Sequence, residues 1–305
     1  MPEQWATAPD GTRLWIEITG SGAPILFLHE FAGTAESWAP QRDAFCGRYR
    51  CIAYNARGYP PSDVPNTPTA YSQLHAVTDA LAVLDELDVP AAHIVGLSMG
   101  GFTALHLALD HPARCLSVTI AGSGYGAAPE DREQFRAESQ AAADAFAHDT
   151  AAAAKRYARG PTRVQYRMKN PHGWRTFADQ LATHDPVGST LTLRGIQGLR
   201  PSPFDFQDRL DGIITPTLLL VGDEDDGCLE THLLLKRRIR TSALAILPRT
   251  GHTINLEESA TFNALLDRFL CLVTLGQWTA REPTSQGRGL VGMQNPGRVR
   301  KSFGG

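Results

Sequence analysis

No stretch of the 305-residue chain is apolar for long enough to span a bilayer, so a membrane protein is not expected. The opening residues, MPEQWATAPDGTRLW, carry neither the basic start nor the apolar run of a secretory leader, and a cytoplasmic location is expected. Cysteine is scarce: Cys46, Cys51, Cys115, Cys228 and Cys271 are odd in number and show no paired metal-ligand spacing. They read as reduced, mostly buried thiols. Neither sign of charge dominates, since 29 Lys and Arg face 32 Asp and Glu for a net charge of −3. That balance leaves no basic footprint for nucleic acid. The H-E-x-x-H metal motif is missing because Gly33 stands where its second histidine would be. No internal repeat is visible. The oligomeric state is open, and a homodimer is compatible with the chain.

What is present fits an ordinary globular protein, 42% hydrophobic and 20% charged, large enough for one big core or a core with a subdomain. Short β-rich runs alternate with amphipathic stretches of helical length, which predicts an α/β fold with a doubly wound, mostly parallel sheet. TRLWIEIT, ILFLH, CIAYNARG, HIVGLS, LSVTIAG, TPTLLLVGD and LAILP read as strands. YSQLHAVTDALAVLDELDV reads as a helix with Leu74, Val77, Leu81, Leu84 and Leu87 on one face. The rhythm breaks between Gly122 and Gly212, where the chain turns alanine-rich and helical. The expected organisation is therefore a sheet core from residues 1–122 and 212–275, interrupted by a helical cap over 123–211. Residues 276–305, rich in Gly, Pro and Arg, read as a poorly ordered tail.

The clue that carries chemistry is VGLSMGG, which sets Ser98 between an apolar run and a helical one. A G-x-S-x-G arrangement lets the serine occupy a strained strand-to-helix turn, with glycines leaving room for neighbouring elements. The competing reading is a serine that only caps the helix. A nucleophilic serine needs a base and a group that orients the base. LLLVGDEDDG ends a strand in Asp223, Glu224, Asp225 and Asp226, and LPRTGHTINLEES places His252 between a strand and the last helix. Alone, the acids read as a solvated turn and the histidine as a loop residue. Together, in the order Ser, acid, His and at strand ends, they read as a site.

With these motifs the chain resembles the α/β-hydrolase-fold superfamily, as a serine hydrolase with a helical cap, from about residue 10 to residue 275. YNARGYPPSD, containing Arg57, is similar to the family's D-x-R-G-x-G-x-S turn, with Asn55 for Asp and Pro60 for Gly. The resemblance implies Ser98 as nucleophile, His252 as base and an aspartate after the penultimate core strand as orienter. The family's G-x-x-D spacing points to Asp225, with Asp223 and then Asp226 as rivals. It also implies an oxyanion hole from the backbone N–H groups of Met99 and Phe31, a small-molecule substrate, and no metal or organic cofactor.

His29-Glu30 departs from the family's usual His-Gly at its second residue. Three readings stand side by side. Glu30 braces the site by pairing with a cation, Arg57 being the natural partner; or it is solvent-exposed; or it faces the pocket as an acid, base or binding group. An anion beside a developing oxyanion opposes catalysis, which weighs against the third. His29 reads as a support of the turn.

The cap contains AKRYARGPTRVQYRMKN, with Lys155, Arg156, Arg159, Arg163, Arg167 and Lys169 and no acid between them. It is a solvated helix surface or an anion-binding roof. Ser123, Tyr125 and Trp174 are candidate substrate-binding residues. The first functional expectation is a hydrolase cleaving a carboxylic ester, lactone or thioester of a small substrate, which a basic roof would allow to be anionic. The alternatives are hydrolysis of a carbon–carbon bond in a vinylogous diketone, a small-molecule receptor that keeps the triad, and a cofactor-free peroxidase or perhydrolase.

Overall fold

The computed structural model describes residues 4–282 together with Ser285. Eight strands form one sheet in the order β1-β2-β4-β3-β5-β6-β7-β8. They are β1 (Gln4–Thr7), β2 (Arg13–Thr19), β3 (Ala23–Leu28), β4 (Tyr49–Tyr54), β5 (Ala92–Leu97), β6 (Cys115–Ala121), β7 (Thr217–Gly222) and β8 (Ser242–Leu247). β1 and β2 run antiparallel to their neighbours, and every pair from β4 to β8 is parallel. The doubly wound, mostly parallel sheet expected from the alternating pattern is what forms. β1 was not legible in the sequence, because QWAT is short and carries no clear alternation.

The central strands read as unbroken apolar runs, and β5 and β7 are buried along their whole length. Such runs arise where helices cover both faces of a parallel sheet. On one face pack α2 (Gln73–Glu86), α3 (Met99–Asp110) and, further along the chain, the helix at Asp226–Arg238, through Val83, Leu84, Leu105 and Leu235. On the other pack α1 (Ala39–Phe45) and the helix at Ser259–Thr274, through Phe45, Phe262, Leu266 and Phe269. Leu74 does not join the buried face of α2 and is 69% exposed. The helix is rotated instead to bury Gln73, Val77, Asp79, Ala80 and Val83. Two polar contacts set that rotation: Gln73 donates to the Thr103 hydroxyl, and Asp79 receives Arg57.

Between β6 and β7 the chain leaves the sheet for α4 (Arg132–His148), α5 (Thr150–Tyr157), α6 (Val164–Lys169), α7 (Pro171–Ala182), α8 (Pro186–Leu191), a π-helical turn at Thr192–Gln197 and α9 (Gln207–Leu210). Their apolar faces meet in a third core, where Phe146, Tyr166, Phe177 and Leu193 join Phe31 and Met99 from the strand-end turns. After β7 come α10 (Asp226–Arg238), α11 (Ile254–Glu257) and α12 (Ser259–Thr274). The segment read as a tail begins packed: the Trp278 ring lies 4.6 Å from that of Phe269, and its indole N–H donates to the Thr241 carbonyl at 2.7 Å. The rest of it, beyond residue 282 and apart from Ser285, lies outside the described residues. Among the described residues no helix is long and apolar enough to cross a membrane.

One glycine fixes how β3, β5 and α3 meet. A Cβ on Gly100 would lie 2.1 Å from the Leu28 carbonyl oxygen, a backbone atom that cannot move aside. Gly100→Ala should therefore cost about 3 kcal/mol of stability, seen as a fall in the urea midpoint. An unchanged midpoint would mean that the strand and helix separate more easily than this packing implies.

Candidate active site

Ser98 is the single residue between β5 and α3, and its backbone is held at φ 54°, ψ −112°. A non-glycine residue with positive φ is strained, and here both sides over-determine it. The Ser98 amide donates to the Ala121 carbonyl at 2.8 Å, and its carbonyl accepts from the Phe102 amide at 3.0 Å. The approach is possible only because neighbours lack side chains: a Cβ on Gly96 would lie 2.2 Å from the Gly100 carbonyl oxygen. Ser123 completes the elbow from below. It is buried, and its hydroxyl donates to the Ser98 carbonyl at 3.0 Å and the Ala121 carbonyl at 3.1 Å. Ser123 thus props the turn and does not line the cavity, which corrects its place among the substrate-binding candidates.

His252 sits on the loop between β8 and α11, and its Nδ1 is 2.7 Å from Asp225 Oδ2. Asp225 is fully buried at the start of α10. Burial alone would push its carboxyl up, but the charge and hydrogen bond of His252, aided by Arg163, hold it below the usual carboxylate range. The rivals are engaged elsewhere or remote: Asp223 is exposed and accepts the Thr250 amide at 3.0 Å, while Asp226 opens the helix. Cys228 Sγ lies 4.0 Å from His252 Nδ1. Burial and the neighbouring Asp225 push that thiol well up from its ordinary value. Ser98, Asp225 and His252 line one cavity. Among the described residues the Ser98 hydroxyl makes no hydrogen bond, to His252 or to anything else.

β3 and β5 are neighbours in register, Leu28 opposite Gly96, so the turn after β3 lies beside the serine elbow. The Phe31 and Met99 amides, one on each turn, have no acceptor among the described residues. His29 holds the first turn with both ring nitrogens: Nε2 accepts the Ala56 amide at 3.1 Å, which leaves Nδ1 to donate to the Glu30 carbonyl at 2.7 Å. Burial pulls its pKa down to about 4. The Tyr59 hydroxyl donates to the Phe31 carbonyl at 2.9 Å.

Glu30 is paired, but not with Arg57. Arg57 is consumed by a bidentate bond to Asp79, at 2.7 and 2.6 Å, and by Asp10 and the Ala70 carbonyl at 2.7 Å each. The partner of Glu30 is Arg163 of the cap, at 2.5 Å, both side chains being 2% exposed. Arg163 also donates to the Thr253 hydroxyl, next to the site histidine. Glu30 Oε2 lies 4.0 Å from His252 Nε2, so the carboxylate faces the site, and the guanidinium beside it mutes its field.

The cavity measures about 280 Å³. Its floor is Ser98, Asp225 and His252, and its roof is Tyr157, Gly160–Arg163, Leu193, Gln197 and Arg200. One wall is a stripe of α4: Phe135, Glu138, Ser139 and Ala142 recur at helical spacing and present one face. Tyr125 stands at the rim, 41% exposed. Trp174 is outside; its indole N–H donates to the Ala158 carbonyl at 2.7 Å within the cap. The basic roof is also corrected. Lys155, Arg156, Arg159 and Arg167 are solvent-exposed, Lys169 pairs with Glu257 and Glu258, and only Arg163 reaches the cavity. Arg200 also lines the cavity; it follows the π-helical turn and has no neighbouring motif to flag it in the sequence.

A family model described as the alpha/beta hydrolase fold matches residues 23–259. The chain belongs to this family. Over 267 residues it is 28% identical to 3-oxoadipate enol-lactonase 1 of Acinetobacter baylyi, covering 87% of this chain and 95% of that one. Among solved structures, the enol-lactonase from Burkholderia xenovorans superposes with a TM-score of 0.75 at 23% identity, over 88% of this chain and 100% of that one. Est816, described as an N-acyl homoserine lactone degrading enzyme, superposes with a TM-score of 0.70 at 28% identity, over 87% and 100%. In this α/β-hydrolase-fold chain Ser98 follows β5, Asp225 follows β7 and His252 follows β8.

Removing one partner of a buried ion pair strands the other charge. Glu30→Leu should cost about 3–5 kcal/mol in chemical denaturation, as should Arg163→Leu, whereas the double variant Glu30→Leu/Arg163→Leu should recover most of the loss. Simple additivity of the two losses would refute a direct pair.

Acid sensitivity follows from the buried imidazoles. Burial holds His29 and His93 down to about 4 and, with His29 adding its charge, His184 down to about 3, against an ordinary 6.5. Groups with depressed pKa stabilise the fold above the unfolded value and lose that contribution as pH falls towards the folded value. Each should withdraw about 1.4 kcal/mol per pH unit between about pH 6.5 and its folded pKa. Urea midpoints taken at pH 7, 5.5 and 4.5 should fall steadily, and a flat series would mean that these rings titrate normally.

Proposed function

We propose that this chain is a serine hydrolase that cleaves a carboxylic ester, lactone or thioester of a small substrate through an acyl-enzyme. The observation that carries the reading is the 2.7 Å contact of His252 Nδ1 with the buried Asp225 carboxylate, in the cavity onto which the strained Ser98 elbow opens. With its Nδ1–H donated to Asp225, the imidazole keeps Nε2 as its basic atom. A serine rotamer that reaches Nε2 lets His252 take the hydroxyl proton as Oγ attacks the carbonyl carbon. The imidazolium then forms against Asp225.

Negative charge moves onto the carbonyl oxygen at that moment and needs donors already in place. The unused Phe31 and Met99 amides are suited to this, each such donor being worth about 2.7–4 kcal/mol in known enzymes. Collapse expels the alcohol, thiol or ring oxygen with the proton held by His252. Water, activated by the same nitrogen, then releases the acid. The enol-lactonase and lactone-degrading names among the similar proteins support the reading for lactone bonds.

A fluorophosphonate probe should label Ser98, located by peptide mass spectrometry, and the label should vanish in His252→Ala. Ser98→Ala should abolish ester hydrolysis, and Asp225→Asn should lower kcat by about 10⁴. Absence of labelling at Ser98 in the folded protein would overturn the proposal.

A further inference from the structure

The roof of the cavity holds a cation with no anion. Arg200 is 8% exposed and lines the cavity, yet among the described residues no carboxylate lies within ion-pair distance of it. Its guanidinium is gripped on one side only: Nη2 donates to the Tyr125 carbonyl at 2.6 Å, whereas Nη1 is buried without any partner. The group stacks on Phe102, 4.1 Å from the ring centroid, with Phe135 at 4.9 Å. Aromatic stacking holds the guanidinium plane and leaves its edge available for hydrogen bonding. Burial pulls the Arg200 pKa down to about 10, which marks how poorly its charge is compensated.

Every other buried charge of the cavity is matched within the protein. Arg163 has Glu30, and Asp225 has His252. Glu138 also lines the cavity, but it is exposed and takes a bond from Gln134 at 2.8 Å. Gln197 and Ser139 line the cavity beside Arg200, and neither side chain makes a hydrogen bond among the described residues. A buried, unmatched cation with unused polar neighbours calls for an anion from outside.

We propose that Arg200 is the recognition group for a carboxylate on the substrate, so that the cavity selects small esters or lactones bearing a free carboxylate away from the scissile bond. The proposal rests on the hydrolase reading for the word substrate, but the binding of a carboxylate to Arg200 does not require catalysis. Arg200 is a specificity residue and takes no part in bond breaking.

The test uses the full chain and two readouts. In calorimetry, glutarate should bind the wild type, and the neutral diol 1,5-pentanediol, which carries no ester bond, should bind at least 10-fold more weakly. Arg200→Gln should remove that difference. In steady-state kinetics, the wild type should prefer the mono-p-nitrophenyl ester of glutaric acid over p-nitrophenyl pentanoate. Arg200→Gln should cut the ratio of the two kcat/KM values by about 10- to 100-fold through a rise in KM, the range expected for hydrogen bonds to a charged group. Arg200→Lys should restore part of the ratio. An equal fall on both esters, with the ratio kept, would show a merely structural arginine and overturn the proposal. So would failure of glutarate to bind the wild type, a measurement that stands even if Arg200→Gln does not fold. Missing turnover with glutarate binding intact would count against the hydrolase reading and leave the carboxylate site supported.

Discussion

The buried ion pair between Glu30 and Arg163 is the constraint on which the site geometry depends. It joins the turn after β3 to a three-residue cap segment 133 positions away. The same segment reaches two further points: Arg163 bonds the Thr253 hydroxyl, and the Thr162 carbonyl accepts the His252 amide at 3.0 Å. One short turn of the cap therefore registers the turn that carries Phe31 against the loop that carries His252. A buried pair of this kind contributes little net stability over an apolar replacement, because desolvation offsets attraction. What it supplies here is position. Any other seating of the cap would leave a carboxylate and a guanidinium alone in an apolar setting.

This explains how a glutamate can stand where relatives of this fold usually carry glycine. Glu30 is not among the residues with positive φ, so the turn has no conformational need for glycine at that point. Its carbonyl does the work of the turn, accepting from His29 Nδ1 and from the Gly33 amide at 3.1 Å. The side chain is then available for a second task, and the cap supplies its cation. The aromatic contacts of Phe31 with Phe146 and Tyr157 seal the same junction from the apolar side.

The sheet and the three strand-end residues were legible because each has a local signature. Apolar runs mark β5 and β7, glycines flank Ser98, and the G-x-x-D spacing after β7 reaches Asp225. Side-chain partners were not legible, since pairing across the chain leaves no periodicity. Arg57 was the natural mate for Glu30 by proximity of turns, but Asp79 on α2 holds it from the opposite side, and the same contact rotates Leu74 into solvent. The basic run of the cap misled for a related reason. Charge density in sequence measures a solvated surface, whereas Arg200, buried against the Phe102 and Phe135 rings, lies outside that run. Ser123 and Trp174 were placed near the pocket by their position in the chain, and their hydrogen bonds turn them elsewhere.

The α4 stripe of Phe135, Glu138, Ser139 and Ala142 has a consequence for how such a protein diverges. Its opposite face meets solvent or the cap's own packing, and none of the four side chains supports the serine elbow or the histidine loop. Exchanges along this stripe would reshape the cavity wall while the machinery beneath keeps its geometry. The fold thus separates the part that can vary from the part that cannot, and it does so with a single helix face.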